Sequence, residues 1–193
     1  MLSKNADMTA IEVSINLSHY NAWMRVADSC LDYGLIMEDD VEVHKDFIKE
    51  INTILESLQD EKIDFSILHL WNGNWMKTRS KYKKVLKINK KLEIVKETIS
   101  YNAGAVAYII SKDYAKFLLK KSFPIKEPND ILMGMYVKHG NHLSLKNTYD
   151  KKEECFKSPI LENPCGGPEG TGITTRGGIE APTIKEISCK RCK

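Results

Sequence analysis

The segment Gly34-Leu35-Ile36-Met37-Glu38-Asp39-Asp40 joins a short apolar run to three consecutive carboxylates. A run this short, with no polar alternation, is the pattern of a strand buried on both faces of a sheet. It ends abruptly in acid, which puts the carboxylates at the carboxyl end of an interior strand, where open α/β sheets collect their ligands. Side chains alternate along an extended backbone, so Glu38 and Asp40 are expected on one side and Asp39 on the other. Carboxylates crowded at one strand tip repel each other unless a cation or a donor lies between them. Oxygen-only ligation suits Mn²⁺ or Mg²⁺ as cofactor, and a nucleotide diphosphate needs such a cation to share its charge. The plain alternative is a solvated acidic turn ahead of the next helix.

Upstream, Thr9 and Glu12 have capping-box spacing. The stretch to about Asp32 reads as a helix with Ile11, Ile15, Ala22 and Val26 on one side and Gly34 as its stop. Cys30, within that stretch, reads as a small core residue. Downstream, Asp46 is placed to cap a helix whose Phe47, Ile51, Ile54, Leu55 and Leu58 form a buried face. Residues 63–70 read as a second buried strand, opening into Trp71-Asn72-Gly73-Asn74-Trp75. Residues 85–88 and 92–95 alternate around Asn89-Lys90-Lys91 as a hairpin. A strand over 105–110 leads into a helix started by Ser111. Pro128-Asn129-Asp130 opens another helix, closed by Gly140, before a strand over 142–146. Strands alternating with helices, plus a hairpin, predict an α/β fold with a mixed sheet. Beyond residue 150 the pattern fails, and residues 163–178 hold six glycines and two prolines. One domain over 1–150 and an irregular Gly/Pro-rich tail over 151–193 are expected.

The chain has 193 residues, 42% hydrophobic, and its 28% charged residues nearly cancel to +3. This excludes a strongly basic nucleic-acid protein and an acidic disordered one. Residues 77–91 are a local exception, with eight Lys or Arg in fifteen positions. They fall on the hairpin and its approach, where exposed faces normally carry charge, so nucleic acid is not expected as a partner. No apolar run approaches the roughly 20 residues of a membrane span, and the first ten residues hold no apolar block. A cytoplasmic chain without a membrane span is expected. Five cysteines at irregular spacing imply no disulfide framework. Cys155, Cys165, Cys189 and Cys192 have the residue types of a zinc set, or are reduced thiols of the tail.

Ser18-His19-Tyr20-Asn21-Ala22-Trp23, followed by the Gly34–Asp40 segment, resembles the paired SH-x-x-x-W and LEDD signatures of glycosyltransferase family 25. Residues 64–70 are similar to its next strand, residues 108–116 to its Y-x-I-S-K-x-x-A segment, and Pro128-Asn129-Asp130 to its P-x-D. The five elements occur in order over about residues 9–147. The resemblance implies a GT-A type fold, a nucleotide-sugar donor (UDP-galactose in several relatives) and inverting transfer to a glycan or to a hydroxylated protein side chain. Carried onto this chain, it makes Asp40 and Asp39 the metal ligands, with Glu38 beside the substrate. Asp130 is then the candidate catalytic base on the acceptor hydroxyl, its alternative role being a helix N-cap. His19 either lies against the substrate or is a hydrogen-bonded structural histidine. Trp71 offers an aromatic face to a sugar or anchors its loop.

The family's opening strand–helix–strand unit, which cradles the nucleotide base, has no counterpart ahead of the first helix here. An N-terminally truncated GT-A-like sheet is therefore expected. Such a sheet would be completed by more of the same reading frame, by a partner chain or by self-association, or it would belong to a shortened homologue that has lost catalysis.

Overall fold

The computed structural model describes residues 8–39, 41, 43, 45–70, 82–90, 92–97, 105–147 and 183–185. The elements are α1 (Ala10–Asp28), β1 (Tyr33–Met37), α2 (Phe47–Asp60), β2 (Ile67–His69), β3 (Tyr82–Lys87), β4 (Leu92–Glu97), β5 (Ala107–Ser111), α3 (Lys112–Lys121), α4 (Asn129–Met135), β6 (His142–Asn147) and β7 (Thr183–Lys185). The strands form one mixed sheet in the order β3-β4-β6-β2-β5-β1-β7. Only β2 and β6 pair in parallel; the other neighbours are antiparallel. The α/β class and the mixed sheet are as the sequence predicts. Strand β7 adds three residues from the segment beyond 150 to the open edge of β1. The cysteines of that segment lie outside the described residues.

One sheet face packs on α2 through Phe47, Ile51, Ile54 and Leu58, against Leu35, Leu68, Ile109 and Leu143. The opposite face carries Ile36, Ile67, Tyr108 and Ile110 against Ala22, Trp23 and Val26 of α1 and Tyr114, Ala115 and Leu118 of α3. Successive strand residues therefore serve opposite layers, which is why β1 and β5 read as unbroken apolar runs. The face predicted for α2 is the face it buries, with Leu55 partly covered. Asp46 stands at its N-cap position but its side chain makes no capping hydrogen bond.

Helix α1 departs from expectation. Its capping box is present, Glu12 N–H donating to Thr9 Oγ1 at 3.2 Å and Thr9 N–H to the Glu12 carboxylate at 2.7 Å. Its buried residues are Asn16, His19, Ala22, Trp23, Val26 and Ala27, whereas Ile11 is 48% exposed. Ala22 and Val26 are buried as predicted, but at its N-terminal end the helix turns Asn16 and His19 inward in place of Ile11, His19 toward the buried Tyr108 hydroxyl and Asn16 toward Glu127 O. It ends at Asp28 with Ser29 as C-cap, so Cys30 falls in the link to β1 and is exposed, not core.

Gly34 does not stop α1 but lies inside β1, where a Cβ would stand 2.3 Å from Val26 Cγ2. Only a residue without a side chain lets α1 lie this close to the strand. Gly34→Ala is expected to cost about 2 kcal/mol by overpacking against a stiff β-branched neighbour. Chemical denaturation measures it, and Gly34→Ala/Val26→Ala should cost less than the sum of the single changes.

Candidate functional site

Strands β1, β2 and β6 run the same way, so their carboxyl ends share one end of the sheet. Glu38 follows β1 directly, and its N–H donates to Val106 O at 2.9 Å, carrying the ladder one residue past the strand. Its side chain is 30% exposed, and Asp39 is exposed in the turn that follows. Asp40 and Trp71 lie outside the described residues. Among the described residues, no group of three His, Cys, Asp or Glu gathers as a metal cluster.

Glu38 meets α1 through His19, whose Nε2 lies 3.9 Å from Glu38 Oε1. His19 is 1% exposed, and its Nδ1 lies 2.8 Å from the Tyr108 hydroxyl. Trp23 Nε1–H donates to that hydroxyl oxygen, also at 2.8 Å. An indole N–H can only donate, so Tyr108 accepts from Trp23, and the carboxylate beside Nε2 favours the tautomer in which the Tyr108 hydroxyl donates to His19 Nδ1. His19 then carries its proton on Nε2, which faces Glu38. Burial lowers the His19 pKa to about 4, so the ring is neutral at pH 7. The contact with Glu38 is thus an N–H dipole directed at a carboxylate, not an ion pair. Burial also raises the Tyr108 pKa; the Trp23 bond opposes this and the Glu38 charge adds to it. The histidine of the SH-x-x-x-W signature is a hydrogen-bonded structural residue that at the same time touches the acidic turn.

The strand register extends this polar line across the sheet. Tyr108 pairs with Ile36 on one side and His69 on the other, and His69 pairs with Ser144. His69 is 1% exposed, and neither ring nitrogen has a partner among the described residues. Burial, then the neighbouring His142, lowers its pKa to about 3. His142 Nε2 lies 2.8 Å from the Tyr114 hydroxyl, which donates onward to Tyr136 O at 3.1 Å. His142 therefore carries its proton on Nε2. Its pKa falls to about 4 through burial and, secondarily, the Lys96 charge. The burial of His69 and His142 and the hub role of Tyr108 are not legible in the sequence. A polar-tipped residue in an apolar run was the available signal, and it does not say which partner the tip will meet.

Asp130 lies in the first turn of α4, where the N-cap position belongs to Pro128. It is not the cap; its Oδ1 accepts from Ile131 N–H at 2.7 Å, which fixes the carboxylate on the helix. The turn ahead of α4 is tied to α1 by Asn16 Nδ2, which donates to Glu127 O at 2.9 Å. Asn16 and His19 are one helical turn apart, about 4.5 Å along the axis. One helix thus touches Glu38 through His19 and the segment leading to Asp130 through Asn16.

With this geometry in place, comparison with known proteins adds the ancestry. Residues 2–133 match Glycosyltransferase family 25 (LPS biosynthesis protein). The chain belongs to glycosyltransferase family 25. The family 25 chain is 28% identical over 137 residues to procollagen galactosyltransferase 1 of Danio rerio, covering 68% of this chain and 21% of that protein. It is 26% identical over 137 residues to procollagen galactosyltransferase 2 of Homo sapiens, covering 68% and 20%. A third relative, the "Probable inactive glycosyltransferase 25 family member 3" of Bos taurus, is 24% identical over 169 residues, covering 81% of this chain and 26% of that protein. The family 25 chain therefore spans about a fifth of the length of the galactosyltransferases it matches. Among its described residues, no helix is long and apolar enough to cross a membrane.

Proposed function

We propose that this chain belongs to a glycosyltransferase of GT-A type that moves a sugar, galactose being the first candidate, from a nucleotide-sugar donor to a hydroxyl of a glycan or of a hydroxylated protein side chain. The observation that carries the reading is the acidic turn at the tip of a buried strand, with Glu38 held against the neutral His19. Carboxylate oxygens are the donor type that Mn²⁺ or Mg²⁺ prefers, which supports a divalent cation at this acidic segment. Asp39 and Asp40 are the residues that would hold it. When bound, the cation supplies positive charge to the diphosphate as the sugar–oxygen bond breaks.

The chain's own residues do the rest. His19 Nε2 faces the Glu38 carboxylate beside the donor, and the Tyr108 hydroxyl, itself held by Trp23, engages His19 Nδ1. Asp130 accepts the proton of the acceptor hydroxyl as that oxygen bonds to the anomeric carbon and the diphosphate leaves from the opposite face. A single displacement of this kind inverts the anomeric configuration.

The test is UDP release from a panel of UDP-sugars, with and without Mn²⁺. Release that requires Mn²⁺ and falls at least tenfold in Asp40→Asn is the expected outcome. No UDP binding in the presence of Mn²⁺, read by thermal shift, would sink the proposal. The relation to a relative named as probably inactive favours a second reading, a non-catalytic binding or assembly protein. That reading predicts nucleotide binding without release from any donor.

A further inference from the structure

Helix α1, the end of α3 and α4 surround a cavity of about 270 Å³ whose lining includes Trp23 but not Glu38, His19 or Asp130. Asn16 and Asn129 both line it, at 9% and 5% exposure. Asn16 Oδ1 and Asn129 Nδ2 have no partner among the described residues. Asn16 Nδ2 donates to Glu127 O, so the atom left over is an acceptor. At Asn129 the amide offers its Nδ2 donor toward the same space. A buried acceptor and a buried donor left unpaired beside one cavity call for a group that both gives and takes hydrogen bonds, as a hydroxyl does.

The rest of the lining narrows the ligand. Leu17, Phe123 and Met135, at 41%, 43% and 55% exposure, are among the few exposed large hydrophobics of the described residues, and all three line the cavity. Tyr20 packs edge-on against Phe123 at 4.9 Å between ring centroids, which steadies an aromatic ring at the opening. Lys120, Lys121 and Lys126 face a single carboxylate, Glu127, in the same lining. Hydroxyl-matching amides, an exposed aromatic ring and net positive charge coincide in a space sized for one ring rather than for a long chain.

We propose that this cavity binds an acidic sugar unit of the acceptor. Its hydroxyls lie on Asn16 and Asn129, its apolar C–H face lies on Phe123, and its anionic group lies toward the lysines. Assigning the ligand to the acceptor rests on the transferase reading; the binding itself does not, and is measured without donor or metal.

The experiment titrates the full chain by calorimetry with a uronic-acid-containing disaccharide, its neutral hexose counterpart, and inorganic phosphate at matched ionic strength. The acidic disaccharide is expected to bind at least tenfold tighter than the neutral one. Lys120→Glu/Lys126→Glu, a change of two exposed side chains, should erase that preference and leave the melting temperature unmoved. Asn129→Ala should weaken both sugars alike. Equal affinity for the two sugars would overturn the proposal, as would phosphate alone displacing the acidic one or a preference that survives charge reversal. Absence of saccharide binding while UDP still binds with Mn²⁺ sinks the cavity assignment alone. Saccharide binding without UDP binding sinks the transferase reading alone.

Discussion

Lowering the pH from 7 to 5 is expected to remove roughly 5 kcal/mol of folding stability, through three buried histidines. His19 and His142 titrate at about 4 in the folded chain and His69 at about 3, against an ordinary value of 6.5. Below 6.5 the unfolded chain takes up protons on all three rings while the folded chain refuses them, so the unfolded state binds more protons. Stability therefore falls as pH drops from 6.5 toward 4, and flattens only when the folded rings begin to protonate. The groups facing these rings do not offset the cost. His19 meets Tyr108, Trp23 and the partly exposed Glu38; His69 meets Tyr108 and His142; His142 meets Tyr114 and feels Lys96. Each ring contributes about 2 kcal/mol at pH 5, and the sum is comparable with the whole stability of a small domain. Urea midpoints taken at pH 7, 6, 5 and 4 measure it, with the steepest fall between 6 and 4. A flat profile from 7 to 5 would mean that these histidines are not buried as described.

Tyr108→Phe is expected to cost roughly 3 kcal/mol although it removes a single oxygen. That oxygen accepts from Trp23 Nε1–H and supplies the proton for His19 Nδ1, each at 2.8 Å. Trp23, His19 and Tyr108 are all 1% exposed or less, so water does not replace the lost partner. A buried donor and a buried acceptor are stranded together, and the cost of leaving such groups unpaired exceeds the net value of the bonds themselves. Equilibrium unfolding of Tyr108→Phe and Trp23→Phe, singly and together, isolates the coupling. The double variant should lose clearly less than the sum, because removing the indole also removes the donor that Tyr108→Phe strands. A loss below about 1 kcal/mol in Tyr108→Phe would show that the three side chains are not one network. The same variant removes the partner of His19 Nδ1, and ¹⁵N shifts of the His19 ring should change at Nδ1 as that hydrogen bond is lost.

Much of the architecture was legible from local pattern. The buried face of α2 follows from its spacing alone, since helical periodicity brings Phe47, Ile51, Ile54 and Leu58 to one side. The hairpin of β3 and β4 follows from alternation around a turn that Asn89 closes, its Oδ1 accepting from Leu92 N–H at 3.0 Å. The capping box places helix α1 within a few residues, and Ala22 and Val26 are buried as their spacing predicts, but Ile11 is not. Hydropathy rewards Ile11 and penalises His19, and it has no way to credit a histidine with the hydroxyl that will satisfy it. Gly34 was misread for a related reason: glycine punctuates local structure, but here it makes room for a helix that packs on it from across the fold. For the site, the acidic turn and the P-x-D segment were visible as motifs, and the line from Trp23 through Tyr108 and His19 to Glu38 was not.

The amino-acid order by itself determined the interior strands, the α/β class with its hairpin, the acidic tip at Glu38 and the family to which the chain belongs. Each of these depends on residues that are neighbours or near neighbours along the chain, where periodicity and capping act. Only the tertiary structure decided the sheet order, the partners of the buried histidines and the cavity between α1 and α4. Those depend on pairs such as His19 with Tyr108, 89 positions apart, and Asn16 with Glu127, 111 apart. Whether a polar group is welcome in a core is settled by the partner it finds there, and that partner is set by how the layers close, not by the residues on either side.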